Sequence, residues 1–252
     1  MARPVTLVTG ASSGLGAEFA RQCAARGDEL VLAARRTDRL EALAAEIGGR
    51  VHVVPADLAE PDGAKMLMER IADEGLTVST LVNNAGFGLS GAFAALPLDR
   101  QREMIDLNVQ ALTALCHRVL PEMRARREGA ILNVASTGAF QPGPHIAVYF
   151  ATKAYVLSFT EALHQELKNS GIHVTALCPG PTRTEFAQVA GVTSKAFDRF
   201  AGSAQDVVAA GLAGLARNRA VVIPGFTNKI TAQAGRFIPR ALMRRIVARI
   251  KL

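Results

Sequence analysis

The chain has 252 residues, of which 49% are hydrophobic and 20% are charged, as in an ordinary globular protein with one sizeable core. Its three cysteines are too few and too far apart for a disulfide framework or a zinc site, and its five histidines show no metal-ligand spacing. We therefore expect no metal, and we expect a reduced, cytoplasmic compartment. No apolar run approaches the about 20 residues of a membrane span, and the opening MARPVTLVTG lacks the features of a signal peptide.

The formal net charge of +7 comes from the carboxyl-terminal part of the chain. Residues 226–252 hold seven of the 29 Lys and Arg residues and no Asp or Glu, so residues 1–225 contain 22 charges of each sign. This imbalance divides the chain into a neutral body and a basic extension, residues 226–252. Because the body is neutral, we expect no nucleic-acid partner.

Short apolar runs with the length of buried strands alternate with helical segments along the body. In chain order the runs are VTLVTG, LVLAAR, VHVVPAD, TLVNNAG, AILNVAS, HVTALCPG and AVVIPG. Helices are predicted between them at residues 14–26, 37–47, 99–127 and 148–169. The alternation predicts an α/β fold, a single doubly wound domain whose parallel sheet carries helices on both faces. Ligands of such sheets bind beyond the carboxyl ends of the strands.

The first strand leads into a glycine-rich loop, TGASSGLG, at residues 9–16. Its glycines, Gly10, Gly14 and Gly16, are not spaced as in the common G-x-G-x-x-G fingerprint. Gly10 permits a tight turn, whereas Gly14 and Gly16 let the backbone approach a pyrophosphate at the start of the next helix. The loop therefore favours dinucleotide binding, and the alternative interpretation is a plain turn of small residues.

The second strand ends in Arg35 and Arg36, where an Asp or Glu would bind the ribose hydroxyls of NAD. A guanidinium at this place matches the 2′-phosphate of NADP(H), so NADP(H) is favoured over NAD(H). The alternative is that both arginines are solvated surface charges. After the third strand, Asp57 is either an acceptor for the adenine amino group or the N-cap of a helix that starts near Pro61.

Four polar residues farther along the chain suggest chemistry. In YFATK, Tyr149 and Lys153 are four residues apart and therefore lie on one face of a helix. Ser136 ends the run AILNVAS, 13 residues before Tyr149. Asn108 lies in the middle of a predicted helix, where an amide is an indifferent choice. One interpretation is that Asn108 caps a local distortion of that helix, which is compatible with a functional role.

Together with the glycine loop, Ser136, Tyr149, Lys153 and Asn108 resemble the short-chain dehydrogenase/reductase family over about residues 4–225. The stretches NNAG at residues 83–86 and PGPTRT at residues 179–184 resemble further motifs of that family. The resemblance implies a Rossmann-fold catalytic domain of residues 1–225, with seven strands in the order 3-2-1-4-5-6-7, and a homodimer or homotetramer. It also implies an NADP(H)-dependent oxidoreductase that transfers a hydride between nicotinamide and a carbonyl or secondary alcohol.

The resemblance implies a role for each of the four polar residues. Tyr149 is the general acid that protonates the carbonyl oxygen, and Lys153 favours its phenolate by charge and binds the nicotinamide ribose. Ser136 donates a hydrogen bond to the carbonyl, and Asn108 holds a water that links Lys153 to solvent. The alternative is a sensor or scaffold that binds the nucleotide without turnover. It is disfavoured because such relatives are expected to lose the Tyr or the Lys.

The same resemblance implies which residues contact the cofactor. They are Gly10, Ser12, Ser13, Gly14, Leu15, Gly16, Arg35, Arg36, Asp57, Leu58, Asn84, Ala85, Gly86, Tyr149, Lys153, Pro179, Gly180, Thr182 and Thr184. Thr184 is expected to bind the carboxamide of the nicotinamide. Ser13 departs from the family pattern, because many NADP-preferring relatives have Lys or Arg there, so Arg35 and Arg36 must bind the 2′-phosphate alone. The alternatives for NNAG and PGPTRT are a strand-ending turn and a plain loop.

A lid is expected at about residues 186–203, because this stretch mixes apolar residues with small ones and follows the cofactor loop. The side chains expected near the substrate are Phe140, His145, Phe186 and Phe197. They predict a mainly apolar pocket for a small-molecule carbonyl of aliphatic, acyl or polycyclic type. The alternative is that these side chains pack on one another and carry no information about the substrate.

The basic extension contains an amphipathic helix. From Pro239 on, its apolar residues share one helical face, and its arginines lie elsewhere. The apolar residues are Leu242, Met243, Ile246, Val247 and Ile250. Such a helix docks on its own fold or on a partner subunit, or it lies on an anionic membrane surface. Docking is favoured, and a membrane-surface reductase of lipid ketones is the alternative.

Overall fold

Seven parallel strands form one sheet in the order β3-β2-β1-β4-β5-β6-β7, in a computed structural model that describes residues 2–191, 201–235 and 237–249. The strands are β1 Arg3–Thr9, β2 Leu30–Ala34, β3 Val51–Pro55, β4 Leu76–Asn83, β5 Gly129–Val134, β6 Ile172–Leu177 and β7 Val221–Val222. The predicted α/β class and strand order are confirmed. The order reverses between β1 and β4, and ligands of open α/β sheets bind at such a switch point.

Helices cover both faces of the sheet. They are α1 Gly14–Ala24, α2 Thr37–Ile47, α3 Gly63–Asp73, α4 Leu98–Ile105, α5 Leu112–Arg126, α6 Ala147–Glu166, α7 Phe186–Ala190, α8 Ala204–Ala216, α9 Phe226–Ala234 and α10 Arg240–Arg249. Short 3₁₀ helices lie at Phe93–Ala95 and Thr137–Phe140. The single helix predicted at residues 99–127 is α4 and α5 joined by the π-helical segment Asp106–Ala111.

The two faces of the sheet bury separate cores, as strand β2 illustrates. Leu30 and Leu32 belong to the core that α1, α2 and α8 cover, whereas Val31 and Ala33 belong to the core that α3, α5 and α6 cover. This alternation follows from the two-residue period of a strand. Because both faces are apolar, β2 is a continuous hydrophobic run in the sequence.

The chain's three cysteines, Cys23, Cys116 and Cys178, are buried and free. Burial raises the pKa of each thiol to about 12, so all three stay protonated at neutral pH. The reduced, cytoplasmic compartment stays a prediction. No helix in the described parts of the chain is long and apolar enough to cross a membrane.

The carboxyl ends of the central strands meet at one edge of the sheet. Asn83 at the end of β4 pairs with Asn133 of β5, and Val134 of β5 pairs with Leu177 of β6. The amide of Thr137, beyond β5, donates to the carbonyl of Pro179, beyond β6, at 2.8 Å. The segments that follow β1, β4, β5 and β6 are therefore neighbours, although they are far apart in the sequence.

The extension is joined to the body at Gly225, whose positive φ of 85° turns the chain from β7 into α9. Ala232 of α9 lies in the same core as residues of the sheet. Met243 and Val247 of α10 are only 6% and 3% exposed. Part of the apolar face of α10 is thus buried, as the favoured docking interpretation requires.

Candidate active site

The glycine loop between β1 and α1 requires glycine at its three glycine positions. Gly10 and Gly14 have positive φ angles of 66° and 55°. A Cβ at Gly16 would lie 2.1 Å from the carbonyl oxygen of Gly10 and 2.6 Å from Nδ2 of Asn84. Ser13 is the N-cap of α1 and makes no side-chain hydrogen bond to that helix. The first amides of α1 therefore lack a side-chain cap, which is the arrangement that binds phosphate at a helix start.

The NNAG stretch after β4 packs directly against this loop. Nδ2 of Asn84 donates to the carbonyl oxygens of Thr9 and Gly10 at 3.0 and 3.3 Å. The amides of Asn84 and Ala85 both donate to Oγ1 of Thr9 at 3.0 Å. Asn84 therefore holds the loop in place, which agrees with the structural alternative for this motif, and Ala85 and Gly86 follow at the edge of the site.

The loop after β6, PGPTRT, also reaches the glycine loop. A Cβ at Gly14 would lie 3.2 Å from Cβ of Thr184, so the two loops are in contact. Thr182 is buried and donates to the carbonyl of Gly180 at 2.9 Å, and Oγ1 of Thr184 accepts from the amide of Phe186 at 3.3 Å. These bonds fix the position of Thr184 beside the loop that starts α1.

The two arginines after β2 point in different directions. Nε of Arg36 donates to Oγ of Ser12 at 3.2 Å, so Arg36 lies against the glycine loop. Arg35 instead pairs with Glu103 at 3.1 Å and lies 3.7 Å from Asp57. Both side chains are about half exposed, and only Arg36 of these two lies against the loop.

Asp57 caps a turn rather than a helix. Its Oδ1 accepts from the amide of Ala59 at 3.0 Å, and α3 begins only at Gly63. The alternative interpretation of Asp57 as the N-cap of that helix is therefore wrong, because the chain makes a turn first. The side chains of Leu58 and Leu15 pack into the two cores, so only the backbone of these two residues is available to a cofactor.

Tyr149 and Lys153 lie on one face of α6, one turn apart, as predicted. Their exposed fractions are 8% and 5%. Nζ of Lys153 donates to the carbonyl of Val134 at 2.7 Å and lies 5.8 Å from the centre of the Tyr149 ring. The end of β5 therefore anchors the lysine, and the lysine in turn lies beside the tyrosine.

Burial controls the pKa values of both groups. It raises the pKa of Tyr149 to about 12, and the Ser136 hydroxyl lowers this pKa by less than burial raises it. Burial also lowers the pKa of Lys153 to about 8. Desolvation disfavours the charged form of each group and outweighs the other effects at this site, so the expectation that Lys153 favours the phenolate stays a prediction. Tyr149 is a protonated phenol at neutral pH.

Ser136 lies at the end of β5 and starts the 3₁₀ helix Thr137–Phe140. Its Oγ accepts a hydrogen bond from the amide of Gly138 at 3.0 Å. A hydroxyl that accepts through a lone pair keeps its own proton for donation. Ser136 is therefore oriented by the backbone and able to donate to a neighbouring oxygen.

Asn108 lies in the π-helical segment between α4 and α5 and is 1% exposed. Its Oδ1 accepts from the amide of Phe87 at 3.1 Å, and its Nδ2 donates to the carbonyl of Phe87 and to Oγ1 of Thr152 at 3.0 and 3.1 Å. The helix is distorted here as predicted, but the interpretation that the Asn108 side chain caps the distortion is wrong, because that side chain bonds Phe87 and Thr152 instead. A Cβ at Gly86 would lie 2.7 Å from Oδ1 of Asn108 and 3.6 Å from Nζ of Lys153, so both border Gly86.

The glycine loop and the cluster of Ser136, Tyr149, Lys153 and Asn108 both fall within one match to a known protein family. The family model described as short chain dehydrogenase matches residues 4–194. The chain belongs to the short-chain dehydrogenase family. Members of this family are oxidoreductases that act on CH–OH and C=O groups, which disfavours the sensor alternative.

Relatives of this short-chain dehydrogenase include enzymes and cofactor complexes. A sulfoacetaldehyde reductase of Chromohalobacter salexigens is 40% identical over 187 residues, which are 72% of this chain and 74% of the relative. A short-chain dehydrogenase from Sphingobium yanoikuyae, solved with NADPH, is 37% identical with a TM-score of 0.83 over 96% of this chain and 95% of its own. One from Burkholderia phymatum, solved with NAD, is 25% identical with a TM-score of 0.81 over 92% of each chain. A nicotinamide cofactor is thus supported.

The surroundings of Tyr149 are apolar. The Phe186 ring lies 5.1 Å from the Tyr149 ring, and Phe87 and Met104 join the same cluster. His145, with a positive φ of 66°, lines a small neighbouring cavity. Phe140 instead packs against the core under the sheet. Phe197 and residues 192–200 of the predicted lid lie outside the described residues.

Glu185 is a site residue that sequence reasoning missed. It immediately precedes α7 and accepts from Arg39 at 2.6 Å and from Arg36 at 3.3 Å. The hydrogen bond from Arg39 contributes most to lowering the pKa of Glu185. Together with Ser12 and Gly14, Glu185 lines a cleft of about 320 Å³ beside the glycine loop. The sequence shows that Glu185 directly follows PGPTRT, but no local pattern indicates that it contacts Arg36, 149 residues away.

A buried chain of amides behind the site was also missed. Nδ2 of Asn83 donates to Oδ1 of Asn133 at 2.9 Å, and Nδ2 of Asn133 donates to Oγ1 of Thr160 at 3.0 Å. Asn133 and Thr160 are fully buried. Because each of these amide nitrogens has an acceptor, this series of hydrogen bonds links β4, β5 and α6 without an unsatisfied buried donor. It supports the strand ends that carry Asn84 and Ser136.

Proposed function

We propose that this short-chain dehydrogenase is an NADP(H)-dependent carbonyl reductase, which converts an apolar aldehyde or ketone to the alcohol. The observation that carries the proposal is the buried, protonated Tyr149 beside Lys153 and Ser136, at the same sheet edge as the glycine loop. A proton donor, a cation and a hydrogen-bond donor are what a carbonyl oxygen needs while it gains negative charge.

The residues on the sheet edge fit a dinucleotide. Gly16 leaves no space for a Cβ, because it lies tight against Gly10 and Asn84. The start of α1 offers amides without a side-chain cap. Arg36 lies against Ser12 of the glycine loop, and this contact supports a role for its guanidinium in binding the 2′-phosphate. When bound, NADPH supplies the hydride. Gly10, Ser12, Ser13, Gly14, Arg36, Asn84, Ala85, Gly86, Pro179, Gly180, Thr182 and Thr184 are the residues proposed to hold it, with Arg35, Asp57 and the backbone of Leu15 and Leu58 at its adenosine end.

The chain's own residues would then handle the proton. Tyr149 keeps its proton at neutral pH and donates it to the carbonyl oxygen, while Ser136 donates a hydrogen bond to that oxygen. Lys153 holds positive charge beside Tyr149 and stabilises the phenolate that this donation leaves. Asn108 binds the backbone of Phe87 and borders Gly86, so it positions the segment that faces Lys153. Because both amide hydrogens have partners, a water would bind Asn108 through the second lone pair of Oδ1.

The pKa of Lys153 predicts the pH dependence of reduction. We expect kcat for carbonyl reduction to fall as the pH rises through about 8, because Lys153 loses its charge there. Tyr149 does not contribute to this fall, because its pKa of about 12 keeps it protonated over the same range. The measurement is kcat against pH at saturating NADPH. A flat profile through this range would contradict the role of the lysine charge.

Glu185 predicts a change in cofactor affinity. Its carboxylate accepts from Arg36 and places a negative charge where the 2′-phosphate of NADPH would bind. Glu185→Gln should therefore tighten NADPH binding by about threefold and leave NADH binding unchanged. The measurement is Kd by fluorescence titration with each cofactor.

The matched control for this change is Glu46→Gln. Glu46 lines the same cleft but pairs with Arg21, at 2.6 Å, so its removal leaves Arg36 as it was. Equal tightening in both variants would mean that the effect is one of overall charge. No change in the Glu185 variant would show that Glu185 does not compete with the phosphate.

The proposed activity is tested by NADPH oxidation with a panel of carbonyl compounds. The panel includes long-chain aldehydes, cyclic and polycyclic ketones, and small polar carbonyls as the comparison. We expect the apolar compounds to have the higher kcat/KM, because Phe186, Phe87 and Met104 surround Tyr149. Tight NADPH binding without turnover of any compound would count against the proposal. The homodimer or homotetramer that the family resemblance implies is tested on the same sample by light scattering.

A further inference from the structure

The extension exposes an apolar surface. It holds five of the eleven large hydrophobic side chains that are exposed among the described residues. They are Phe226, Ile230, Phe237, Leu242 and Ile246, exposed by 79%, 54%, 86%, 49% and 40%. Leu242 and Ile246 are one turn apart, beside the buried stripe of Met243 and Val247. We call the five exposed residues the apolar patch. Single exposed hydrophobic residues are ordinary, but five of them within one short segment of the chain indicate a contact surface.

Cations accompany the apolar patch. Lys229, Arg240, Arg244 and Arg245 are exposed, and within the described parts of the chain none of them forms an ion pair. Residues 226–252 contain no Asp or Glu that could neutralise them. By helical spacing, Arg245 is next to the exposed residues Leu242 and Ile246 of α10. Arg240 and Arg244 lie on the other side of the buried residues Met243 and Val247. The extension therefore presents positive charge that no ion pair among the described residues offsets.

We propose that α9 and α10 bind an anionic lipid bilayer. The apolar patch inserts at the boundary of headgroups and acyl chains, and the cations contact the lipid phosphates. Charge complementarity favours this partner over a second copy of the chain. In a two-fold contact, two copies of the same cationic surface would face each other. They would repel, because the extension contains no acidic residue that could neutralise the charge.

The extension also contacts two loops of the candidate active site. A Cβ at Gly180 would lie 2.4 Å from Oδ1 of Asn228 in α9, and one at Gly235 would lie 3.2 Å from the carbonyl oxygen of Phe140. Phe140 ends the 3₁₀ helix that Ser136 starts. Bilayer binding through the extension thus brings the loop that carries Ser136 near the membrane. It favours membrane-dissolved carbonyl compounds as substrates, a step that rests on the proposed function.

Vesicle co-sedimentation with the full chain tests the binding without any assay of activity. The vesicles contain equal parts of phosphatidylcholine and phosphatidylglycerol, with pure phosphatidylcholine as the neutral comparison. We expect the chain to sediment with the anionic vesicles. The double variant Arg244→Glu, Arg245→Glu should have an affinity for these vesicles that is lower by at least about a hundredfold. Arg217→Glu with Arg219→Glu is the matched control, because these exposed arginines at the end of α8 give the same change of charge.

A second pair of variants removes the apolar contribution. Phe226→Ser with Phe237→Ser changes two side chains that are 79% and 86% exposed, so folding should be unaffected while sedimentation with anionic vesicles falls. The proposal is overturned if the unaltered chain stays in the supernatant, or if the control pair weakens binding as much as the Arg244 and Arg245 pair. It is also overturned if the phenylalanine variants change only the oligomeric state in light scattering, because the patch then binds a second copy.

Discussion

Tyr149→Phe should lower kcat for carbonyl reduction by about a thousandfold and leave the Kd of NADPH unchanged. The substitution removes one hydroxyl from a ring that is 8% exposed and packs against Phe186, so the fold and the glycine loop keep their structure. What is lost is the proton that the buried phenol holds at neutral pH. The measurement is steady-state NADPH oxidation beside a fluorescence titration of NADPH binding.

The chain contains its own control for this variant. Tyr155 is the only other tyrosine, lies on the same helix α6, and is 40% exposed. Its hydroxyl pairs with Oγ1 of Thr113 at 3.0 Å, away from the strand ends. Tyr155→Phe should keep nearly full activity. Comparable turnover in the Tyr149 and Tyr155 variants would show that another group supplies the proton.

Arg36→Ala should weaken NADPH binding by about thirtyfold and change NADH binding little. The guanidinium contacts Ser12 of the glycine loop, and a charge-assisted bond to a 2′-phosphate is available only to NADPH. The measurement is the Kd of each cofactor for the variant and the unaltered chain. Similar losses for the two cofactors would mean that Arg36 supports the loop rather than the phosphate.

The variant Arg35→Ala tests whether the two adjacent arginines, to which the sequence assigned the same role, differ in their contribution to NADPH binding. Arg35 already pairs with Glu103 at 3.1 Å, so its charge is partly offset, and we expect a smaller loss of NADPH affinity. If Arg35→Ala gave the larger loss, NADPH binding would have to rearrange the side chains after β2.

The sequence predicted the fold because the local signals agree with the tertiary structure. The apolar runs are buried on both faces of a parallel sheet, so they are recognisable without knowledge of their neighbours. The π-helical segment around Asn108 could not be located from periodicity, since the apolar pattern continues across it. The sequence suggested it only through Asn108, an amide in the middle of an otherwise ordinary predicted helix.

The catalytic residues were also accessible, because each belongs to a short motif. Tyr149 and Lys153 lie one turn apart on α6, and Ser136 follows shortly after the end of β5. What the sequence could not show is the direction of each side chain. The bond from Lys153 to the carbonyl of Val134 and the bond from Arg36 to Glu185 join segments that only the folded sheet brings together. The raised pKa of Tyr149 has the same origin, since it depends on burial by several elements.

The burial of the three thiols makes the chain a convenient scaffold for site-specific labelling. Maleimide and iodoacetamide reagents react with thiolates that solvent can reach, and none of the native cysteines offers one. A cysteine introduced at Val189, which is 55% exposed on α7, would carry a fluorophore alone, without removal of any native cysteine. Its emission would then follow the segment beside Glu185 as cofactors are added.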